Sequence, residues 1–197
     1  MISTIIFDWG GVFTKGKHSR GIEKVLKQKY KAKIDYLFAC KLFDKMDCNE
    51  LSVVQLTKII NKKFKIKLTP AQMENVFRDA IFPNAQMLKL AAKLKKKYRL
   101  ILLSNNNIPT VKALRAGHKK FLKLFNAVYF SNELNCRKPG KKIFQIVIKR
   151  SKLKASECVF VDDVAKNVET ARKLKINAIQ FKNVLQVKKQ LAKLGVV

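Results

Sequence analysis

The chain begins MISTIIFDWGGVFTKG (Met1–Gly16), and its segment IIFDWGGV (Ile5–Val12) decides how the rest is read. Ile5-Ile6-Phe7 is a short, continuous apolar run of the kind that forms a strand buried on both faces. It stops at a single acid, Asp8. After Trp9 come Gly10 and Gly11, which let a backbone turn and approach a ligand closely. Trp9 reads equally well as part of a pocket wall or as core.

Four further runs resemble the first: Arg99–Ser104, Ala127–Phe130, Cys158–Asp162 and Ala178–Phe181, with the first strand spanning Ser3–Asp8. Between them lie Lys-rich stretches with apolar residues at helical spacing: Ala85–Lys97, Pro139–Lys152, Val164–Lys175 and Val184–Leu194. This alternation predicts an α/β fold, a Rossmann-like doubly wound parallel sheet covered on both faces. One region departs from the rhythm. From Lys17 to Phe82 there are helix patterns without a strand: Gly21–Tyr30, Ile34–Phe43, Leu51–Phe64 and Pro70–Ala80. Thr69-Pro70 is a good N-cap and first-turn pair. An insertion of about 65 residues is far longer than an ordinary loop. The expected division is therefore a core of residues 1–16 and 83–197 with a small helical bundle, residues 17–82, inserted after the first strand.

The 197 residues, 48% of them hydrophobic, suffice for a full core. The charge is lopsided, with 43 Lys+Arg against 13 Asp+Glu for a net +30. Such a balance attracts anionic substrates, polyanions or anionic surfaces. The lysines are dispersed, however, as on solvated helix faces. Cys40, Cys48, Cys136 and Cys158 show no CxxC or Cys/His zinc spacing, which suits reduced thiols. The first apolar stretch is too short for a signal peptide, and no run approaches the ~20 apolar residues of a membrane span. A cytoplasmic protein without membrane contact is expected, either a monomer or a homodimer.

In doubly wound sheets, ligands bind at the carboxyl ends of the strands. Here the first strand ends in Asp8 and the second in Ser104, followed by Asn105, Asn106 and Asn107. The third is followed by SNELNCRKPG, with Lys138 before Pro139, and the fourth ends in Asp162-Asp163. Three carboxylates, a hydroxyl, amides and a lysine thus fall at strand ends or just past them.

These residues carry a resemblance to the haloacid dehalogenase-like (HAD) hydrolases, in particular their phosphatase-like branch with a helical cap after the first strand. The matching motifs are IIFDWGGV (Ile5–Val12), LLSNN (Leu102–Asn106), RKPGKKIF (Arg137–Phe144) and VFVDDVAKNVETA (Val159–Ala171). The resemblance implies a Mg²⁺-dependent phosphatase acting on a small phosphorylated metabolite through an aspartyl-phosphate. Asp8 would be the nucleophile, and Asp8, the Gly10 carbonyl and Asp163 would hold the metal, with Asp162 behind them. Lys138 would neutralise Asp8 and the phosphoryl oxygens. Ser104 and the backbone N–H groups near Gly10, Gly11 and Asn105 would hold those oxygens. Asn167 would orient the acidic loop or the lysine.

One departure matters. The family's phosphatases commonly carry a second Asp two places after the nucleophile, as general acid and base. Here that position is Gly10, and such help is typically worth ~10²–10⁴-fold in rate. Weak turnover, or a preference for good leaving groups, is the expected consequence. Candidates for the missing group are His18, Asp44, Asp47 and Glu50. His118 reads as structural or exposed. Asn135 replaces a glycine common in relatives and tolerates left-handed backbone. A metal-free dehalogenase is disfavoured by the Asp162-Asp163 pair, which makes sense beside Asp8 only with a cation. The main alternative is a non-catalytic binding protein on this fold, associated with polyanions or nucleic acid through its charge. Lys93–Arg99 (KLKKKYR) and Lys138–Lys154 are densely basic but lack an aromatic stacking pattern.

Overall fold

A computed structural model describes residues 1–32 and 36–196. In chain order it contains β1 (Thr4–Phe7), the helices α1 (His18–Tyr30), α2 (Tyr36–Met46), α3 (Val53–Phe64) and α4 (Pro70–Asp79), then α5 (Ala85–Leu94) and β2 (Arg99–Ser104). There follow α6 (Ile108–Gly117), α7 (Lys119–Leu122), β3 (Ala127–Phe130), α8 (Ser131–Leu134), α9 (Lys141–Arg150), β4 (Cys158–Asp162), α10 (Ala165–Lys173), β5 (Asn177–Gln180) and α11 (Val184–Lys193). The five strands form one sheet in the order β3-β2-β1-β4-β5. Every pairing is parallel. This is the α/β, Rossmann-like sheet expected from the strand–helix alternation.

The central strands β1, β2 and β4 are buried on both faces, as suits a parallel sheet covered by helices on each side. In β1, Ile5 and Phe7 belong to a core with α5, α6 and α11. Ile6 belongs to a second core on the opposite face, with Ile143, Phe144 and Val147 of α9 and Ala171 of α10. The strand alternation of side chains thus feeds two layers. A third cluster lies within α1–α4, built on Ile22, Leu26, Leu56, Ile60, Met73 and Phe77. The four helices between β1 and α5 therefore have an apolar interior of their own. Gly21 lets α1 approach α4, since a Cβ there would meet the Ala80 carbonyl at 2.6 Å.

Some helix boundaries differ from the sequence reading, and side-chain caps fix the starts of α3 and α4. α1 begins at His18, three residues before the expected Gly21, which places His18 on its first turn. α3 begins at Val53 because Ser52 forms a capping box with Gln55. Thr69 does the same with Gln72 for α4, with Pro70 in the first turn. The expected helix start at Ile34 lies outside the described residues. Three helices have no counterpart in the sequence reading: α6, capped by Asn107 with Pro109 in its first turn, and the short α7 and α8 on either side of β3. β5 lies one residue earlier than expected.

Ile6, 1% exposed, packs in the second core with Ile101 and Phe160. Ile6→Ala should destabilise the protein by about 2–5 kcal/mol through lost burial and a residual cavity. The check is denaturant unfolding, in which the midpoint falls while the slope holds.

Candidate active site

The strand order fixes where the site lies. β1 sits between β2 and β4, and Phe7 is level with Leu102 on one side and Val161 on the other. The next residues along the three strands, Asp8, Leu103 and Asp162, therefore reach the rim together. This is the crevice at the carboxyl ends, where the strand order reverses. The Asp8 N–H donates to the Val161 carbonyl at 2.9 Å, so the backbone is held through the turn.

Lys138 reaches this rim from the segment between α8 and α9 and is 1% exposed. Its Nζ lies 2.9 Å from Asp8 Oδ1 and 2.6 Å from Asp162 Oδ2. It also donates to the Leu103 carbonyl at 2.9 Å. An ammonium has three N–H donors, and these three acceptors match them. Burial alone would lower the Lys138 pKa, but Asp162 and Asp8 outweigh it and hold the amine above its usual value. Burial raises the Asp8 carboxyl to about 7, with Lys138 opposing and Asp162 and Asp163 reinforcing the shift.

The two adjacent acids have different surroundings. Asp162 is fully buried and takes hydrogen bonds from Lys138 at 2.6 Å, from the Val164 N–H at 2.8 Å and from Asn167 Nδ2 at 2.9 and 3.0 Å. Both its oxygens are committed to the protein. Asp163 is partly exposed and lines the cavity beside Asp8. Gly11 (φ +76°) makes room for it, since a Cβ there would lie 2.5 Å from Asp163 Oδ2. Asp8, Asp162 and Asp163 each present one carboxylate oxygen, all within 4.8 Å of one another. Three carboxylates against one ammonium leave a formal surplus of two negative charges. A hard divalent cation with oxygen ligands fits both the donor set and that surplus.

Each residue after β2 has its own task. Ser104 is 1% exposed, and its Oγ accepts from Asn106 Nδ2 at 3.3 Å. The Asn105 side chain clasps the lysine backbone, accepting from the Lys138 N–H and donating to its carbonyl, both at 2.9 Å. The Asn106 N–H donates to Ser131 Oγ at 3.0 Å. Asn107 Oδ1 caps α6 through Thr110, which turns its Nδ2 towards Asp47 Oδ1 at 3.5 Å. Ser131 Oγ in turn donates to the Asp47 carbonyl at 2.8 Å. Neither Asn107 nor Ser131 stood out as a site residue in the sequence; the Asn-x-x-Thr spacing was the available signal for the first, and nothing marked the second.

These groups surround a cavity of about 190 Å³ between the rim and α1–α2, lined by Asp8, Gly10, Ser104, Lys138, Asp163 and Asn167. At about 30 Å³ per water, it has room for a small polar molecule. Asp44, Asp47 and His18 also line it, whereas Glu50 and His118 do not. Trp9 is buried in the sheet core and lines the cavity too, so both of its expected roles meet in one side chain. Its ring packs edge-on against His18, centroids 4.9 Å apart. His18 Nε2 is 3.1 Å from the Phe77 carbonyl, and burial lowers its pKa to about 4. It is neutral near pH 7. Asp44 is exposed and pairs with Arg137 at 2.7 Å. Asn135 takes the left-handed conformation at φ 49°, and its Oδ1 accepts from Asn49 Nδ2 at 3.0 Å. The four cysteines are free thiols. No helix among the described residues is long and apolar enough to cross a membrane.

Comparison with known proteins agrees with this fold. The family described as haloacid dehalogenase-like hydrolase matches residues 2–175. A D-ribitol-5-phosphate phosphatase of Bacteroides thetaiotaomicron is 26% identical over 194 residues, 93% of each chain. A HAD family enzyme of the same organism, solved with magnesium and inorganic phosphate, superposes with a TM-score of 0.70 at 22% identity, covering 92% of this chain and 95% of that one. A HAD-like family hydrolase of Porphyromonas gingivalis gives a TM-score of 0.71 at 24% identity over 98% of each chain.

The environment of Asp47 has a measurable consequence. Burial raises its carboxyl to about 7, with Asp44 and Asp8 adding to the shift and Arg137 and Asn107 opposing it. The folded state thus keeps a proton that the unfolded chain has lost, so stability falls as pH rises from about 4 to about 7. Asp47→Asn should remove that loss, which is on the order of 4 kcal/mol. Its melting temperature relative to wild type should rise between pH 4 and pH 8. A pH-independent difference would show that Asp47 is ionised in the fold.

Proposed function

We propose a Mg²⁺-dependent phosphatase reaction for this chain on a simple premise: it belongs to the haloacid dehalogenase-like hydrolase family. The observation that carries the reading is Asp8 itself. It is a 7% exposed carboxylate at the mouth of the rim, held by a buried ammonium at 2.9 Å and open to a small cavity. A nucleophilic carboxylate needs that combination of fixed aim, counter-charge and access. The similar ribitol-phosphate phosphatase and the magnesium- and phosphate-bound structure support the same reading.

The roles follow from the contacts. Asp8 Oδ attacks phosphorus and forms an aspartyl-phosphate, which water then hydrolyses. Lys138 lowers the repulsion between Asp8 and the phosphoryl oxygens while its bond to Asp162 keeps it in place. Ser104 and the backbone N–H groups of Gly10 and Asn105 receive those oxygens, fixed donors being worth most where water is excluded. The Gly11 N–H, expected among these donors, is instead spent on Thr14 Oγ1 at 2.8 Å. Asp8, Asp163 and the Gly10 carbonyl would hold the cation, with Asp162 and Asn167 bracing Lys138 and the acidic loop from behind. When bound, Mg²⁺ would supply positive charge to the transferring phosphoryl group. Helices α1–α4 serve as a cap over the site, and the cavity they enclose favours a small phosphorylated metabolite. The net charge of +30 draws such anions towards the surface.

Hydrolysis of 4-nitrophenyl phosphate tests the reading, because that leaving group needs little protonation. Turnover should require Mg²⁺ and stop with chelator. Asp8→Asn should reduce it at least 10³-fold while leaving the circular dichroism spectrum and melting curve native. Wild-type activity in Asp8→Asn would refute the assigned nucleophile.

A further inference from the structure

We infer that Asp47, on the segment joining α2 to α3, is the general acid and base of this site, taking the place left without a carboxylate at Gly10. The inference rests on the phosphatase reading and adds a catalytic residue to it.

Position 10 has room for a side chain, since a Cβ built there meets nothing within 4 Å. The chain nevertheless carries glycine there, and the rim's remaining acids are engaged. Asp162 is saturated by four hydrogen bonds, and Asp8 and Asp163 face the cation position. Of the other titratable groups lining the cavity, Asp44 is exposed and paired with Arg137. His18 stacks on Trp9, with Nε2 against the Phe77 carbonyl. Asp47 differs from both. It is buried, it lines the same cavity as Asp8 and Lys138, and among the described residues it makes no ion pair.

Asp47 is also held by the core on both its backbone and its side chain. Its carbonyl accepts from Ser131 Oγ at 2.8 Å, and that serine is fully buried. Its Oδ1 lies 3.5 Å from Asn107 Nδ2, an amide whose orientation the α6 cap fixes. The residue thus belongs to the helical insertion but is located by the strand-end loops. The charged and titratable groups around it are Arg137, Asp44, Asp8 and Cys48, with His18 and Lys138 across the cavity. In these surroundings the carboxyl holds its proton to about pH 7, in the range where an acid can both donate and recover a proton.

The steps balance. The bond from Asp8 Oδ to phosphorus forms as the bond from phosphorus to the ester oxygen breaks, and the Asp47 proton passes to that oxygen. Water then attacks phosphorus and gives a proton to the Asp47 carboxylate, while the bond from phosphorus to Asp8 breaks. Phosphate leaves, and both side chains return to their starting states.

The test is leaving-group dependence on substituted phenyl phosphates of nearly equal size, from 4-nitrophenyl to 4-methoxyphenyl. It is read in kcat/KM, which covers transfer to Asp8 and excludes hydrolysis of the intermediate. Asp47→Asn should lose at least 10²-fold on the 4-methoxyphenyl ester and at least tenfold less than that on the 4-nitrophenyl ester. Asp44→Asn should lose nothing selectively. A structural role for Asp47 would lower both esters alike, and equal losses, or none, overturn the inference while the phosphatase reading stands. No Mg²⁺-dependent turnover of any ester by the wild-type protein overturns both. A native melting curve for Asp47→Asn keeps misfolding from imitating either result.

Discussion

The ammonium of Lys138 lies among Asp8, Asp162 and the Leu103 carbonyl, each within 2.9 Å, and is itself buried. Bringing a lone charge into such an interior costs several kcal/mol. Two carboxylates and a strand-end carbonyl offset that cost here, and they do so only if three strands end level. The register of β1 with β2 and β4 is therefore a condition for the lysine to be buried at all. The same arrangement gives Asp8 a counter-charge without covering its open side.

Around this centre, the polar groups divide into those that support and those that face the cavity. Asp162 bonds both Asn167 and the lysine, and Asn105 clasps the Lys138 backbone. Both Asp162 oxygens are taken up inside the protein, which suits positioning rather than chemistry. Asp8, Asp163 and Ser104 border the cavity. Adjacent residues of one sequence motif thus have different duties. Asp162 is the last residue of β4 and points into the protein, while Asp163 starts the turn and points out.

The four inserted helices have their own apolar interior, yet polar contacts tie them to the strand-end loops. Arg137 with Asp44, Asn49 with Asn132 and Asn135, and Ser131 with Asp47 all cross between the two. Such contacts are exposed or single and contribute little to stability individually. Their effect is on placement, since they determine which insertion residues meet the rim.

Much of this was legible in the chain itself. Apolar runs of four to six residues between amphipathic stretches specify strands and helices because burial on both faces selects one composition and burial on one stripe another. All five strands, their parallel arrangement and four helices between the first strand and α5 follow from those patterns. Asp8, Ser104 and Asp162 were legible at strand ends because a polar residue closing an apolar run is a local signal, with Asp163 next to one of them and Lys138 in the segment that follows the third strand. The start of α3 at Val53 differs from the expected Leu51 because the Ser52 capping hydrogen bond decides it more than periodicity does, while α1 begins at His18 without a side-chain cap. Asp47 was one of four equivalent candidates in the sequence, alongside His18, Asp44 and Glu50. Tertiary structure separated them: Asp44 met Arg137, Glu50 stayed in water, His18 was stacked on Trp9, and Asp47 was buried beside the cavity. The sequence by itself determined which residues end the strands. Only the fold decided which distant side chains complete the site, because burial and partnership across some forty residues of intervening chain have no local pattern to betray them.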